Sequence, residues 1–421
     1  MKLYRYFLLI IIIISFYGCG TEEGGLFYSL EQETEITNGN LSNEITIGAI
    51  ERNADYYFVA AGNFYYREAA SGSAWPENED DVVQSYNPDD SSESLSDYDL
   101  YLTYDMILVD DLIYAVYYST DGTDFQVFSL DTAGFDGSEA WSGPLNFDLL
   151  DPEEYVVELE VCEDKIFFLT ATSATSYNIK IADVAGFDKT TAFFTLQTGL
   201  YASGGLRVDY DSVSDTFWIV MGNNIFTTDG ESTFTDITDD AMAAEDCVVG
   251  GEIEYLSGEG FKGVVCAETD DDEAGTEVYI TSKEGVMLKY IGGEWTTISN
   301  QYTEEDDEDD PEYGLFESLH NIVHIEIASE GIDVLLAGSD EGYYEMSLDD
   351  NSFDSPEEED TDLTTENQFS IIDMSDSIIT SFYLDTEPED PVVFGLGLNA
   401  GLWINSMVED EDGDYRDWDV E

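Results

Sequence analysis

The chain is short of positive charge. Its 421 residues include 12 Lys plus Arg and two His against 95 Asp plus Glu, so the formal net charge is −83. A protein that binds nucleic acid needs a basic face for the phosphates, and this composition therefore excludes nucleic acid as a partner. We interpret the acidity as a surface adapted to salt or serving solubility, with the collection of divalent cations as the alternative.

Long apolar runs are also lacking, except for one at the N-terminus. Lys2 and Arg5 precede an apolar run from Phe7 to Ile14, which is followed by small residues and by Cys19. A charged segment, an apolar segment and a small-residue cleavage site together are typical of an export signal. The run is too short for an ordinary membrane span, and no second one follows.

The pair Gly18-Cys19 resembles the lipobox of bacterial lipoproteins, in which the Cys becomes the diacylated first residue of the mature chain. The resemblance implies a signal peptide over 1–18, a lipid on Cys19 and a flexible tether over 19–43. Gly20 after the Cys is compatible with sorting to the outer membrane. We therefore expect a protein anchored to that membrane, or a secreted protein if Cys19 carries no lipid.

Cysteines are few, with three remaining after Cys19. Cys247 and Cys266 flank a segment that reads as a hairpin turning near Ser257, with arms of equal length. A cross-strand disulfide between them is therefore one prediction for an exported chain. Cys162 lies in an apolar strand pattern, and we expect a buried thiol there.

Helical periodicity is almost absent, and a repeated strand pattern takes its place. Each copy has a strand, an acidic or Gly turn, a short apolar strand, a second turn and an aromatic strand. Seven copies begin at Ile45, Leu100, Val156, Gly205, Gly251, Asn321 and Ile378. The spacing of about 50–60 residues is that of one blade of a β-propeller. The sequence thus predicts an all-β domain over 44–421, a seven-bladed β-propeller, with six or eight blades as alternatives.

One turn carries a more specific motif. Thr227, Asp229, Gly230, Thr233 and Phe234 resemble the Asp-box of sialidase-like (BNR-repeat) propellers. The resemblance implies a structural hairpin, in which the Asp binds backbone N–H groups of its own turn and the aromatic ring packs between sheets. Asp and Gly are also the residues that such a turn favours.

Catalytic residues of that family are not evident. Its enzymes need three convergent arginines, and the mature chain has only Arg52, Arg67, Arg207 and Arg416. We assign no catalytic residue from the sequence.

Metal ligands are equally sparse. The alternation Asp410, Asp412 and Asp414 around a Gly is that of calcium loops, but the distal bidentate Glu is missing. An acidic turn is the favoured interpretation, with Ca²⁺ as the alternative and no other cofactor expected. His320 and His324 lie on one predicted strand, which we expect to be half exposed.

These observations predict a monomeric lipoprotein whose propeller binds a protein, a glycan or a cation without catalysis. The membrane is reached through the lipid. The alternative is a carbohydrate-active hydrolase or lyase that uses an acidic pair in the propeller channel.

Overall fold

In the computed structural model, about two thirds of the described residues lie in β-strands. The described residues are 41, 46–69, 85–87, 90–94, 100–119, 125–145, 147, 154–173, 176–188, 194–200, 205–231, 233–242, 260–268, 276–283, 285–298, 318–327, 331–348, 353–354, 374, 377–388, 391–408 and 415–420. Within these ranges no helix is long and apolar enough to cross a membrane. The expected all-β class is confirmed.

The first half of the chain forms three larger sheets and one small hairpin. Sheet A contains β1 (Ala49–Arg52), β2 (Tyr56–Ala60) and β3 (Phe64–Glu68). The hairpin contains β4 (Ser85–Asn87) and β5 (Asp90–Ser94). Sheet B contains β6 (Leu100–Val109), β7 (Leu112–Ser119) and β8 (Phe125–Asp131). Sheet C contains β9 (Tyr155–Cys162), β10 (Lys165–Ser173), β11 (Ser176–Asp183) and β12 (Phe194–Leu200).

The second half forms four sheets of four strands each. Sheet D contains β13 (Leu206–Asp211), β14 (Thr216–Met221), β15 (Asn224–Thr228) and β16 (Phe234–Asp236), followed by a short helix α1 (Thr238–Met242). Sheet E contains β17 (Phe261–Glu268), β18 (Thr276–Ser282), β19 (Met287–Ile291) and β20 (Glu294–Ile298). Sheet F contains β21 (Leu319–Ile327), β22 (Ile332–Ser339), β23 (Gly342–Ser347) and β24 (Phe353–Asp354). Sheet G contains β25 (Ile379–Asp385), β26 (Val392–Gly397), β27 (Leu402–Val408) and β28 (Tyr415–Val420).

Each of the sheets A to G is an antiparallel meander in which the strands follow one another in chain order. The second strand is apolar because it is covered on both faces. In β10, Ile166 and Phe168 pack towards sheet B, whereas Phe167 and Leu169 pack towards sheet D. Side chains alternate between the faces of a strand, so a continuous apolar run buries both faces.

The sheets pack in a cyclic order. Among the described residues, six clusters of buried apolar side chains join each sheet to the next, from sheets A and B to sheets F and G. A further cluster joins sheet G back to sheet A, where Phe394 and Leu402 pack with Ile50 and Tyr57. The first strands of neighbouring sheets also contact each other from β1 to β25. These strands therefore face the centre of the arrangement.

Polar contacts complete the junction between sheets G and A. Asp385 on β25 accepts a hydrogen bond from Arg52 Nη1 at 3.1 Å and another from the Tyr57 hydroxyl. Leu41, which the sequence analysis places in the tether, is fully buried here, and its carbonyl accepts a hydrogen bond from Leu402 N at 2.8 Å. The N-terminal segment thus enters the fold at this junction.

One copy of the repeat is shifted relative to its expected place. In the copy that begins at Gly251, the hairpin expected to turn near Ser257 would make the segment from Phe261 onwards its second arm. The segment Phe261–Glu268 is the first strand of sheet E instead, and Thr276–Ser282 is the second. Thr276–Ser282 has four polar residues of seven, yet six of its seven residues are buried, as expected for a strand that is covered on both faces.

The junction of sheets G and A yields a stability prediction. The Asp385→Ala variant leaves the buried Arg52 guanidinium and the Tyr57 hydroxyl without their shared acceptor. We expect the free energy of unfolding, measured by urea denaturation, to fall by about 3–5 kcal/mol.

The matched control is Asp183→Ala. Asp183 also pairs with a cation, Lys165 Nζ at 2.6 Å, but its side chain is 63% exposed. Loss of such a surface pair changes the free energy by about 1 kcal/mol or less. Equal effects of the two substitutions would contradict the closing role of Asp385.

Candidate functional site

A cavity of about 600 Å³ lies where the first strands of the sheets converge. Its lining comes from β1, β6, β9, β13, β21 and β25, and we call it the inner cavity. One wall, the acidic wall, carries Glu51, Asp105, Glu158, Glu160 and Arg207. The other, the neutral wall, carries Asn321, Thr380, Ser381 and Tyr383.

The acidic side chains make a repeated contact between successive first strands. Asp105 on β6 accepts the backbone N–H of Leu159 on β9. Glu158 on β9 accepts the N–H of Leu206 on β13 at 2.7 Å, and Asp209 on β13 accepts the N–H of Cys266 on β17 at 2.7 Å. Glu51 on β1 makes the corresponding hydrogen bond with the backbone of Leu108 on β6.

The open edge of each first strand explains these contacts. Each first strand pairs with a neighbour on one side only, and its other edge faces the centre. An unpaired and partly buried N–H group costs free energy unless an acceptor reaches it. A carboxylate on the preceding sheet supplies that acceptor, and we call the four contacts the edge latches.

Arg207 holds two carboxylates of the acidic wall together. Its Nη1 lies 2.8 Å from Glu158 Oε1 and 3.6 Å from Glu160 Oε2. Burial opposes the charge of the guanidinium, but the surrounding Glu160 and Glu158 carboxylates outweigh it and raise the pKa of Arg207. The Arg207 side chain is still 32% exposed to the cavity, so water screens this pair more than it would a dry one.

The pKa values of several acids in the wall are raised. Burial raises the pKa of Glu51 to about 8. The hydrogen bond from the Leu108 backbone lowers this pKa, whereas the negative charge of Glu160 raises it further. Burial likewise raises the pKa of Glu160 to about 7, although Arg207 opposes the shift. The pKa of Asp105 is raised well above its ordinary value by burial and by Glu158, and burial also raises that of Asp209. The wall therefore retains protons near neutral pH.

The neutral wall uses different contacts. Asn321 Nδ2 on β21 donates to Ser381 Oγ on β25 at 2.9 Å. Between β17 and β21 the backbones approach closely, since a Cβ on Gly263 would lie 2.6 Å from Ile322 N. A carboxylate side chain does not fit at that junction.

The turn with the Asp-box motif lies away from the cavity, between β15 and β16. Asp229 Oδ1 accepts the N–H groups of Glu231 at 3.0 Å and of Thr233 at 2.9 Å. Gly230 has a φ of 72°, which favours glycine, and a Cβ there would lie 2.8 Å from the Phe217 ring.

The other three members of the motif are Thr227, Thr233 and Phe234, and they lie close by. Asp229 N donates to Thr233 Oγ1 at 3.3 Å, and the Phe234 ring packs on Phe226 with centroids 4.7 Å apart. Thr227 pairs with Thr235 in the β15–β16 ladder. In this arrangement every member of the motif supports the hairpin.

Several predicted site residues lie outside the described part of the chain. They are Cys19, Cys247, Asp410, Asp412 and Asp414. The disulfide between Cys247 and Cys266 and the calcium alternative therefore stay predictions. Cys162 is buried as expected, and burial raises the pKa of its thiol and of the Cys266 thiol. A raised pKa disfavours the thiolate, so neither is arranged as a nucleophile.

The histidines and arginines are distributed over separate contacts. His320 Nε2 lies 2.8 Å from Asp340 Oδ1, whereas His324 Nε2 lies 2.6 Å from Asp333 Oδ1. Arg207 lines the inner cavity, and Arg52 lines a different cavity at the edge of sheet A. Among the residues with described positions, no group of three or more His, Cys, Asp or Glu is placed to hold a metal ion.

Comparison with known proteins gives no family. No protein-family model and no curated protein matches the chain. Solved structures share a coarse likeness. The computationally designed Ika8 protein is 10% identical with a TM-score of 0.43, and the match covers 86% of this chain and 96% of that one.

Two natural proteins show a similar level of likeness. The extracellular domain of the putative hybrid two component system BT4673 from B. thetaiotaomicron is 11% identical, with a TM-score of 0.45 over 89% of this chain and 39% of that one. A prolyl endopeptidase is 10% identical, with a TM-score of 0.43 over 90% of this chain and 50% of that one. The chain thus spans half or less of the length of these two proteins.

Sequence reasoning missed the edge latches. Their carboxylates, Glu51, Asp105, Glu158 and Asp209, recur at intervals of about 50 residues, which is the period of the repeat. Alignment of the seven copies on their apolar strands would have placed an acid in the first strand of four consecutive copies. That signal is weak among 95 acidic residues.

The Asp-box turn yields the second prediction. The Asp229→Ala variant removes the acceptor for two turn N–H groups, and we expect the free energy of unfolding to fall by about 1–2 kcal/mol. Urea denaturation measures the change, and Glu231→Ala, an exposed neighbour of equal charge, is the control with a change within about 0.5 kcal/mol. Loss of ligand binding at an unchanged melting temperature would contradict this structural role of Asp229.

Proposed function

We propose that the protein is a lipoprotein anchored outside the cytoplasmic membrane, whose β domain is a seven-bladed β-propeller that binds a ligand in its inner cavity without catalysis. The cyclic packing of sheets A to G supports the propeller. Each sheet is an antiparallel meander, its first strand faces the centre, and apolar clusters join neighbours all the way round. We infer one blade from each sheet, and blades A and B have three described strands.

The inner cavity is the observation that carries the binding function. It combines a volume suited to a small ligand with hydrogen-bonding groups that converge from six strands. Asn321, Thr380, Ser381 and Tyr383 offer amide and hydroxyl groups on the neutral wall. The carboxylates opposite repel anions. These walls favour a neutral or amine-bearing glycan over an anionic one.

Binding is favoured over hydrolysis because the best acidic pair is already engaged. A glycosidase needs one acid to protonate the leaving group and one free carboxylate as base or nucleophile. Glu160, with its pKa raised to about 7, fits the first role. Glu158 does not fit the second, since one of its oxygens accepts from Leu206 N and the other from Arg207. A hydrolase or lyase is therefore the second candidate.

Calorimetric titration tests ligand binding in the cavity. The probes are neutral oligosaccharides, amine-bearing oligosaccharides and CaCl₂, each added to the folded domain without its lipid. The Ser381→Trp variant fills the neutral wall and should weaken glycan binding at least about tenfold, which corresponds to about 1.4 kcal/mol.

Val213→Trp is the matched control, because Val213 is 65% exposed on a turn of sheet D. Equal binding by both variants would place the ligand outside the inner cavity. Calcium binding without glycan binding would leave the cation as the ligand, and no binding of any probe would overturn the proposed class of ligands. Release of shortened oligosaccharides would favour the hydrolase.

The membrane anchor rests on Cys19 and on the apolar run before it. We expect cleavage between Gly18 and Cys19, with lipid on the new N-terminus and the protein in the outer-membrane fraction. Mass spectrometry of the N-terminal peptide after labelling with a palmitate analogue measures both events. The Cys19→Ala variant should lose the label and stay in the precursor form, whereas release of unlabelled wild-type protein into the medium would contradict the anchor.

A further inference from the structure

The acidic wall holds more negative charge than its cation can balance. Glu158 and Glu160 both contact the same Nη1 atom of Arg207, and these three side chains lie beside Asp105. Glu160 in turn raises the pKa of Glu51 through its charge. The Glu158, Glu160 and Arg207 side chains are 16–32% exposed, so water screens their charges only in part.

The titratable and charged groups that face or act on this cluster come from the first strands around the cavity. They are Glu51 on β1, Asp105 on β6, Glu158, Glu160 and Cys162 on β9, Arg207 and Asp209 on β13, Cys266 on β17, and Tyr383 on β25. His324 on β21, two sheets further on, also acts on Asp209. Within the described residues, Arg207 is the one permanent cation of this group.

We propose that the acidic wall is a pH-responsive clasp: its carboxylates, gathered around the single Arg207 guanidinium, join the first strands of sheets A to D, and full ionisation of the group at mildly alkaline pH loosens these strands. The hydrogen bonds of the edge latches are the contacts that weaken. Three of the four carboxylates that form edge latches, Glu51, Asp105 and Glu158, belong to the acidic wall. Repulsion between the charges of the wall therefore acts directly on the contacts between strands. This inference does not depend on the ligand.

The direction of the pH effect follows from the raised pKa values. Glu51 has an ordinary pKa of 4.5 and a folded pKa of about 8, and for Glu160 the folded value is about 7. The folded protein therefore binds more protons than the unfolded chain between these limits. The stability that this provides is fully present below about pH 4.5 and is lost as pH rises through 7 to 8.

Other titratable groups limit the pH range in which the acidic wall can be tested. Burial lowers the pKa of His320, which affects stability below about pH 6.5. Burial raises the pKa values of Cys162 and Cys266, which affects stability near pH 9, where free thiols ionise. Among the residues that the structure describes, the acidic wall is the main group whose titration between pH 6.5 and 8.5 differs between the folded and unfolded states.

The test compares melting temperatures at pH 6.5 and pH 8.5 in low salt. For the unmodified protein we expect the melting temperature to fall by about 2–4 °C across this range. In the double variant Glu51→Gln, Glu160→Gln, each side-chain carbonyl can still accept a hydrogen bond but carries no charge. We expect this variant to show less than half of the wild-type fall and to melt above the wild type at pH 8.5.

The control is the double variant Glu231→Gln, Glu294→Gln, which removes the same charge at exposed positions. It should shift both melting temperatures equally and retain the wild-type fall. If the variant of the acidic wall does not fold, the single variant Glu160→Gln replaces it, since Glu160 forms no edge latch. A fall of wild-type size in the variants of the acidic wall, or no fall in the wild type, would overturn the proposal.

Discussion

The open edge of the first strand in each sheet is the constraint on which the arrangement depends. A meander of three or four strands leaves two edges, and here one of them faces the centre of the molecule. Water and neighbouring backbones cannot serve every N–H group in so narrow a space. The acidic side chains of the preceding sheet supply acceptors at four successive junctions. The acidity of the cavity is thus first a structural property and only then a property of a binding site.

The scarcity of cations has a second consequence. With so few Lys and Arg, the described ion pairs are concentrated where strands or sheets must be joined. Arg52 joins sheet A to sheet G, Arg207 joins sheet D to sheet C, and Lys283 joins sheet E to sheet F through Asp340 at 2.8 Å.

Two ion pairs within single sheets are also enclosed. Lys180 pairs with the buried Glu154, and Lys289 pairs with Glu277, each at 2.7 Å. Removal of one partner from such an enclosed pair leaves the other charge buried without a partner. This destabilises the folded state by more free energy than the intact pair contributes. The acidic surface can therefore vary far more than these few cationic positions can.

The sequence predicted the parts of the fold that depend on local pattern. Short apolar segments such as Phe217 to Val220 are the second strands of their sheets, because coverage on both faces leaves a continuous apolar run. The motif around Asp229 likewise identifies its turn from local chemistry. Long-range pairs carry no such signal: Arg52 and Asp385 are 333 positions apart, and an acid that forms an edge latch looks like any of the others. The shifted copy in sheet E shows the same limit, since its second strand, Thr276–Ser282, has four polar residues of seven and therefore no continuous apolar run.

Hydrogen exchange measures directly whether the carboxylates of the edge latches protect the open backbone N–H groups of the first strands. Mass spectrometry with single-residue fragmentation can follow the backbone N–H groups of Leu159, Leu206 and Cys266 at one pH. Our account predicts that they exchange as slowly as paired N–H groups in the middle of a sheet, and that Glu158→Ala speeds exchange at Leu206 far more than at Cys266. Rapid exchange of all three in the unmodified protein would contradict it.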